Sequence, residues 1–247
     1  MFIGKKFLIA GAAGLLGRQL VRHLVENQAQ VVAVDIDLEG LQSLYASDTA
    51  VTVESLNLND EQAVIRFFSN RSDLDGAVNC SYPRNSKYGA HFYDVGLASF
   101  NENVSLHLGA SFLFMQQAAA YFERVKAPFS LVNIASIYGV VAPRFDVYEG
   151  LKMTMPVEYA AIKSALIHLS KYVVRYVGQS DFRCNVVSPG GLFDHQPEPF
   201  LERYQQHSLG KGMLDVKDVL GSIAFLLSDR SQYVNGQNLV VDDGFSL

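Results

Sequence analysis

Seven short apolar runs alternate with helical patterns along this chain, and that alternation constrains its fold more than any other feature. The runs expected as strands are Lys6–Ala10, Gln30–Asp35, Val51–Leu56, Gly76–Asn79, Phe129–Ile134, Arg183–Pro189 and Asn238–Val241. The helical patterns cover Leu15–Asn27, Leu38–Tyr45, Asp60–Asn70, Phe92–Phe122, Val157–Gly178, Pro199–His207 and Val216–Ser228. Strands that are apolar throughout need cover on both faces, and a strand–helix–strand rhythm supplies it when the strands run parallel. The expected fold class is therefore α/β, a doubly wound parallel sheet with helices on both faces. With 247 residues, 49% of them hydrophobic and 18% charged, the chain can close one large core. No repeat or Pro/Gly-rich linker divides it, so residues 1–247 are read as a single domain.

Charge and cysteine content narrow the partners. A formal net charge of -5 without any basic run excludes a protein built to neutralise a phosphate backbone, so no nucleic acid is expected. The apolar stretch Phe7–Ala10 turns into glycines before it could span a bilayer or form a signal-peptide core. No membrane association and a cytoplasmic localisation are expected. Cys80 and Cys184 lack the spacing of a zinc site or a disulfide framework, and no metal is expected.

The first apolar run ends in Gly11-Ala12-Ala13-Gly14-Leu15-Leu16-Gly17, directly before a helical pattern. There, glycines let the backbone approach a pyrophosphate, while the helix N-terminus offers free N–H donors and a positive dipole end. A simple tight turn uses glycine too, so the second strand matters. It ends in Asp35, eighteen residues after Gly17, close to the distance at which an acid meets the adenosine ribose in a Rossmann-like unit. A carboxylate there accepts from both ribose hydroxyls and repels a 2′-phosphate, which favours NAD(H) over NADP(H). The competing reading makes Asp35 a helix cap, a job Asp37 could also do.

Tyr159-Ala160-Ala161-Ile162-Lys163 opens a strong helical pattern, so Tyr159 and Lys163 share a face. A phenol has an ordinary pKa of about 10, and a neighbouring ammonium lowers it by stabilising the phenolate. Such a pair can move a proton to or from a carbinol oxygen. Tyr148-Glu149-Gly150-Leu151-Lys152 repeats the spacing, but Gly150 and Pro156 follow it in place of a helix. Ser136, at the end of Leu131–Ile134, suits either a substrate-oxygen anchor or a local cap.

These motifs join Asn57-Leu58, Asn79, Asn103-Val104, Asn133-Ile134-Ala135-Ser136, Arg183–Gly190, Asn235-Gly236-Gln237 and Asp242-Asp243-Gly244. In that order they resemble the short-chain dehydrogenase/reductase family along nearly the whole chain. The resemblance implies a Rossmann-like fold, with residues 1–135 mainly binding a dinucleotide and residues 136–247 carrying catalysis under a lid near 191–212. It implies Tyr159 as the proton donor/acceptor, Lys163 as the residue that lowers its pKa and holds the nicotinamide ribose, and Ser136 as the substrate-oxygen anchor. Asn103 resembles the helix residue that holds a relay water. Along the cofactor it implies Gly11, Gly14, Leu16, Gly17, Asp35, Asn57, Leu58, Asn79, Pro189, Gly190 and Leu192.

Three departures stand out. The GxxGxxG turn has the spacing of the extended branch of the family, which includes nucleotide-sugar epimerases and dehydratases that use NAD catalytically, whereas the length matches the classical branch. Ser136 and Tyr159 are twenty-three residues apart, wider than the family pattern. That spacing leaves Tyr148 at the usual distance and implies that residues 144–153 bulge out at the substrate mouth. Cys80-Ser81-Tyr82 replaces Asn-Ala-Gly, which puts an aromatic ring above the nicotinamide.

The loops around the expected site carry Arg84, Lys87, Arg144, Lys152, His195, Arg203, His207 and Lys211 with few large apolar residues. That mixture suits a polar small molecule better than a steroid or acyl chain. Tyr82, Arg84, Arg144, Tyr148 and His195 are the candidate substrate contacts. The stretches Ile134–Arg144, Met155–Tyr159 and Gly190–Phe200 resemble bacterial flagellin-modification and surface-sugar oxidoreductases, implying a sugar-like substrate. A non-catalytic NAD(H)-binding sensor is the remaining alternative. The family resemblance also implies a homotetramer or homodimer.

Overall fold

The computed structural model describes residues 2–247. All seven apolar runs are strands: β1 (Lys6–Ala10), β2 (Gln30–Asp35), β3 (Val51–Ser55), β4 (Gly76–Asn79), β5 (Phe129–Ile134), β6 (Phe182–Pro189) and β7 (Asn238–Val241). They pair in parallel as one sheet in the order β3-β2-β1-β4-β5-β6-β7. The helices are α1 (Leu15–Glu26), α2 (Leu38–Tyr45), α3 (Glu61–Ser69), α4 (Leu97–Asn103), α5 (Ala110–Val125), α6 (Val157–Val177), α7 (Glu198–Gln206) and α8 (Lys217–Leu227). This is the doubly wound α/β architecture that the alternation required.

Each face of the sheet has its own core. On one face Leu20, Val21 and Leu24 of α1, Leu41 of α2 and Leu220 and Ile223 of α8 pack on Phe7, Ile9, Val31 and Ala33. On the other, Val64 and Phe68 of α3, Phe114 and Ala118 of α5 and Ile162 and Leu166 of α6 pack on Leu8, Val32 and Leu131. The period-two alternation of a strand sends successive side chains to opposite layers, so the central strands find apolar cover on both faces while the edge strands β3 and β7 stay partly exposed. Arg183 is buried in β6 and donates to the carbonyls of Leu226, Ser228 and Ser231. It caps the C-terminus of α8, where the helix dipole favours a cation. Among the described residues no helix is long and apolar enough to cross a membrane.

One helix departs from its sequence pattern. The spacing predicts a continuous helix over Phe92–Phe122; instead a 3₁₀ turn at Phe92–Asp94 precedes α4, and a π-helical turn at Val104–Gly109 joins α4 to α5. Apolar periodicity does not reveal a widened turn, because one extra residue only shifts the stripe around the helix.

The glycine turn is built on close approaches. Gly11 has φ +75°, and a Cβ there would lie 2.8 Å from the Ser81 nitrogen beyond β4. A Cβ on Gly17 would lie 2.1 Å from the Gly11 carbonyl oxygen. The helix therefore starts against its own turn. Gly17→Ala should destabilise the protein by about 3 kcal/mol through this overlap, read from urea unfolding; a loss below about 0.5 kcal/mol, the scale of a neutral surface change, would show that the turn relaxes instead.

Candidate active site

Helix α6 starts just after Pro156, whose fixed φ suits the beginning of a helix. It presents Tyr159 and Lys163 on one face, with the Lys163 Nζ 5.5 Å from the Tyr159 ring centroid. Lys163 is buried and donates at 2.8 Å to the carbonyl of Ile134, the last residue of β5. Ser136 follows two residues later in extended backbone, and its Oγ accepts from the Tyr138 amide at 3.2 Å. Its hydroxyl also lies near the Tyr159 phenol and favours the phenolate. Ser136 is thus a local cap whose hydroxyl also faces Tyr159. The 3₁₀ turn Ile137–Gly139 fixes the arrangement, since a Cβ on Gly139 would lie 2.6 Å from the Lys163 carbonyl carbon.

Electrostatics differ from the sequence expectation. Burial raises the Tyr159 phenol above its ordinary value, and the group opposing that rise is the Ser136 hydroxyl, not Lys163. The lysine is itself pushed down to about 7 by burial, with its hydrogen bond spent on Ile134. Desolvation disfavours the charged form of both groups, so each ends nearer neutrality than it would be in water.

Tyr82 stands over this pair. Its ring centroid is 5.6 Å from that of Tyr159, 5.2 Å from His107, and 5.6 Å from the Lys163 Nζ. The Arg84 guanidinium lies over the same ring at 5.0 Å, and the Tyr82 and Tyr88 hydroxyls are hydrogen-bonded. The loop that carries Tyr82, Arg84 and Tyr88 is tied to α4 by Asn85, whose N–H donates to the Asn103 side chain at 2.9 Å. The Asn103 amide donates to Glu158 and to Asn85, both at 3.2 Å, which braces the loop against α6. His107, one turn further along, is the helix residue that faces the Tyr82 ring. Sequence reasoning passed over it because a histidine within an apolar helical pattern reads as core.

The expected cofactor residues gather along the carboxyl edge of β1, β2, β4 and β6. Asp35 ends β2 and accepts from the Ala13 amide of the glycine turn at 3.1 Å and from the Asp37 amide at 3.2 Å. Asp37 caps α2 by accepting from Gly40, which leaves Asp35 free of that duty. Gly14 is the N-cap of α1 and has no side chain to shield the first free N–H groups. Leu16 and Leu58 turn their side chains into the two cores, so only their backbone lines this edge. Asn57 shapes a turn by accepting from Asn59, and Asn79 accepts from Ser81 while donating to Ser111. Pro189 pairs with Val241, and a Cβ on Gly190 would crowd Asp242 and Tyr204. Leu192 forms a bridge to Leu214 that straps the lid segment to the body.

One candidate substrate residue, Arg144, is held at the C-terminal segment, which corrects the expectation, while Tyr148 lies in a cluster that Tyr159 packs against. Arg144 sits over the Phe245 ring at 5.6 Å and donates to the carbonyls of Phe245 and Leu247. Tyr148 is buried against Phe200, and burial drives its phenol well above the ordinary range. Within residues 144–153, Phe145, Asp146, Glu149, Gly150 and Lys152 are exposed. Val147 and Tyr148 fold into an aromatic cluster with Tyr138, Phe200, Tyr204 and Phe245. His195 is exposed on the lid, packed beside Phe193 at 5.5 Å, with φ +60°.

A family model described as Enoyl-(Acyl carrier protein) reductase matches residues 11–246. The chain belongs to the short-chain dehydrogenase/reductase family. It is 35% identical to the post-translational flagellin modification protein A of Campylobacter coli, over all of both chains. It is 26% identical to the 7alpha-hydroxysteroid dehydrogenase of Bacteroides fragilis, over all of this chain and 96% of that one. A short chain dehydrogenase from Leptospira borgpetersenii, solved with bound NAD+, superposes with a TM-score of 0.86 at 28% identity, covering all of this chain and 94% of that one. Family membership makes the protein an oxidoreductase of this fold.

The buried lysine of this short-chain dehydrogenase/reductase has a measurable cost. Lys163 binds its proton near pH 7 when folded and near 10.5 when unfolded, so between those values the unfolded chain holds more protons and stability rises with pH. Wild type should therefore gain stability relative to Lys163→Met between pH 7 and 10, measured by denaturant unfolding at each pH. A constant difference across that range would show that burial does not govern Lys163.

Proposed function

We propose that the protein is an NAD(H)-dependent oxidoreductase that transfers a hydride between nicotinamide and a secondary alcohol or ketone of a polar, sugar-like substrate. Its product would enter a modified sugar for flagellin or surface glycans. The observation that carries this reading is the meeting of Ser136, Tyr159 and Lys163 at one point on the carboxyl edge of the sheet, beside the glycine turn.

The residues present fit the cofactor. The glycine turn leaves space that a Cβ would fill, the first turn of α1 offers unpaired N–H donors, and Asp35 lies beside both. Bound nicotinamide supplies the hydride donor or acceptor. Ser136 would hold the substrate oxygen while Tyr159 exchanges a proton with it. Burial of the phenol keeps it protonated in the free protein, ready to donate to a carbonyl that gains hydride. Lys163, close to neutrality near pH 7, can return or remove that proton.

The aromatic faces of Tyr82 and Tyr88, the Arg84 guanidinium, and Phe193 with His195 on the lid combine flat apolar surface with hydrogen-bonding groups. Such a lining suits a sugar, which presents C–H faces and hydroxyl edges together. Similarity to a flagellin modification protein supports the same class. A homotetramer or homodimer built on α5 and α6 belongs to this reading, with Phe112, Tyr172 and Tyr176 exposed on those helices. The GxxGxxG spacing favours a second reading, an epimerase or dehydratase that returns NAD to its starting redox state.

The test is a panel of sugars, sugar phosphates and nucleotide sugars, followed by reduced-nicotinamide absorbance and mass analysis. Net NADH formation supports the dehydrogenase; product without net NADH supports the second reading. With an active substrate, Tyr159→Phe should lower kcat by about 10²–10⁴-fold, the usual worth of a general acid/base, while NADH binding persists. Tyr148→Phe should keep most of the turnover, and an equal loss there would move the catalytic role to Tyr148. Asp35→Ala should weaken NAD binding by about tenfold, the scale of one lost charge-assisted hydrogen bond, and spare NADP. Unchanged NAD affinity by calorimetry would remove the ribose role.

A further inference from the structure

Tyr45, the last residue of α2, is 5% exposed and packs in the core on one face of the sheet. A phenylalanine would fill the same space, so packing alone does not call for the hydroxyl. That hydroxyl donates at 2.9 Å to the carbonyl of Ala12, thirty-three residues earlier and inside the glycine turn. Burial pushes the phenol up to about 12, so it stays a donor across the neutral range. Ala12 is fully buried, and the tyrosine supplies its carbonyl with the hydrogen bond that water cannot.

The other end of the same peptide unit meets Asp35. The Ala12 carbonyl and the Ala13 N–H belong to one planar group and point opposite ways, and the Ala13 N–H donates to Asp35 Oδ2 at 3.1 Å. One peptide of the glycine turn is thus held between α2 and the end of β2. The Gly11 and Ala12 amides donate to the Val34 carbonyl at 3.0 and 3.2 Å, which ties the root of the turn to the same strand. Asp35 takes its orientation from this arrangement. Its Oδ2 accepts from Ala13 and its Oδ1 from the Asp37 amide at 3.2 Å, so two backbone donors set the carboxylate plane, while each oxygen keeps a further acceptor site. Asp37 is a near neighbour in the chain. The tie from across the turn is the Ala13 amide, and its direction depends on the peptide that Tyr45 holds.

We propose that Tyr45 is a positioning residue of the dinucleotide site: its hydroxyl fixes the Ala12–Ala13 peptide, and through that peptide holds the Asp35 carboxylate ready to accept the adenosine ribose hydroxyls. It acts through Asp35 and not on the ribose itself. Donation to the Ala12 carbonyl also polarises the peptide, which makes the Ala13 N–H a stronger donor to Asp35. Without the hydroxyl a buried carbonyl loses its partner, and rotation of the peptide toward another donor becomes favourable. That rotation draws the Ala13 N–H away from Asp35. A carboxylate freed in this way has to be ordered by the ligand, and affinity falls by that cost.

This assignment rests on the reading of Asp35 as the ribose acceptor, and both are tested by NAD calorimetry on wild type, Tyr45→Phe, Asp35→Ala and the double variant. Tyr45→Phe keeps the ring in the core and removes only the hydroxyl. It should weaken NAD binding by about fivefold to tenfold, the scale of one hydrogen bond. Added to Asp35→Ala it should cost less than about twofold more, because the carboxylate it acts through is gone. A readout without cofactor accompanies this: hydrogen exchange of the Ala13 amide, followed by NMR, should quicken in Tyr45→Phe as it does in Asp35→Ala. Unchanged NAD affinity in Tyr45→Phe overturns the proposal, as does an Ala13 amide that keeps its wild-type exchange rate there. Losses that multiply in the double variant also overturn it, since general damage to the turn would act whether or not Asp35 is present. Unchanged NAD affinity in Asp35→Ala would remove the ribose role and this proposal together, whereas a loss there with none in Tyr45→Phe would remove the role of Tyr45 alone.

Discussion

The reactive edge exists because a parallel sheet with two covered faces has to reverse its winding once. Strands β1, β2 and β3 run outward in one direction and β4 to β7 in the other, so the connections after β1 and β4 leave on opposite faces. Between those two strands no helix covers the carboxyl ends, and the crevice that opens there is where doubly wound folds bind ligands. The rest follows from this constraint. The glycine turn closes against Ser81 beyond β4, Asp35 reaches the turn from β2, and Ser136 leaves β5 toward α6.

Desolvation gives the edge its chemistry. Tyr82 covers Tyr159 and Lys163, and the aromatic cluster of Tyr138, Tyr148, Phe200, Tyr204 and Phe245 closes the side formed by the lid. Inside that wall a phenol is harder to ionise and an ammonium easier to neutralise, so the two proton affinities move apart, Tyr159 upward from 10.0 and Lys163 downward to about 7. The phenol therefore keeps its proton in the free protein. The insertion that separates Ser136 from Tyr159 serves this wall. Asp146 pairs with His207 at 2.6 Å, and Arg203 donates to the Glu149 carbonyl, so residues 144–153 brace α7.

The sequence by itself determined the strands, the sheet type and the place of Tyr159, Lys163, Ser136 and Asp35, because each depends on short-range regularities. Apolar runs with period two, a glycine turn between strand and helix, and a four-residue step along a helix are all written within a few positions of one another. Asp35 could be separated from a helix cap only once Asp37 was seen to hold Gly40, but both candidates were already visible. Tertiary structure decided the identity of the groups that touch across the site. Asn103 meets Asn85 and Glu158, and the π turn brings His107 to the Tyr82 ring. Arg144 and Tyr148 looked like mouth residues from their position in an insertion; packing holds Arg144 on the C-terminal segment and buries Tyr148 in a cluster that Tyr159 packs against. These contacts join residues far apart in the chain, and their cost or gain depends on which surfaces lose water together. Local pattern carries no record of that.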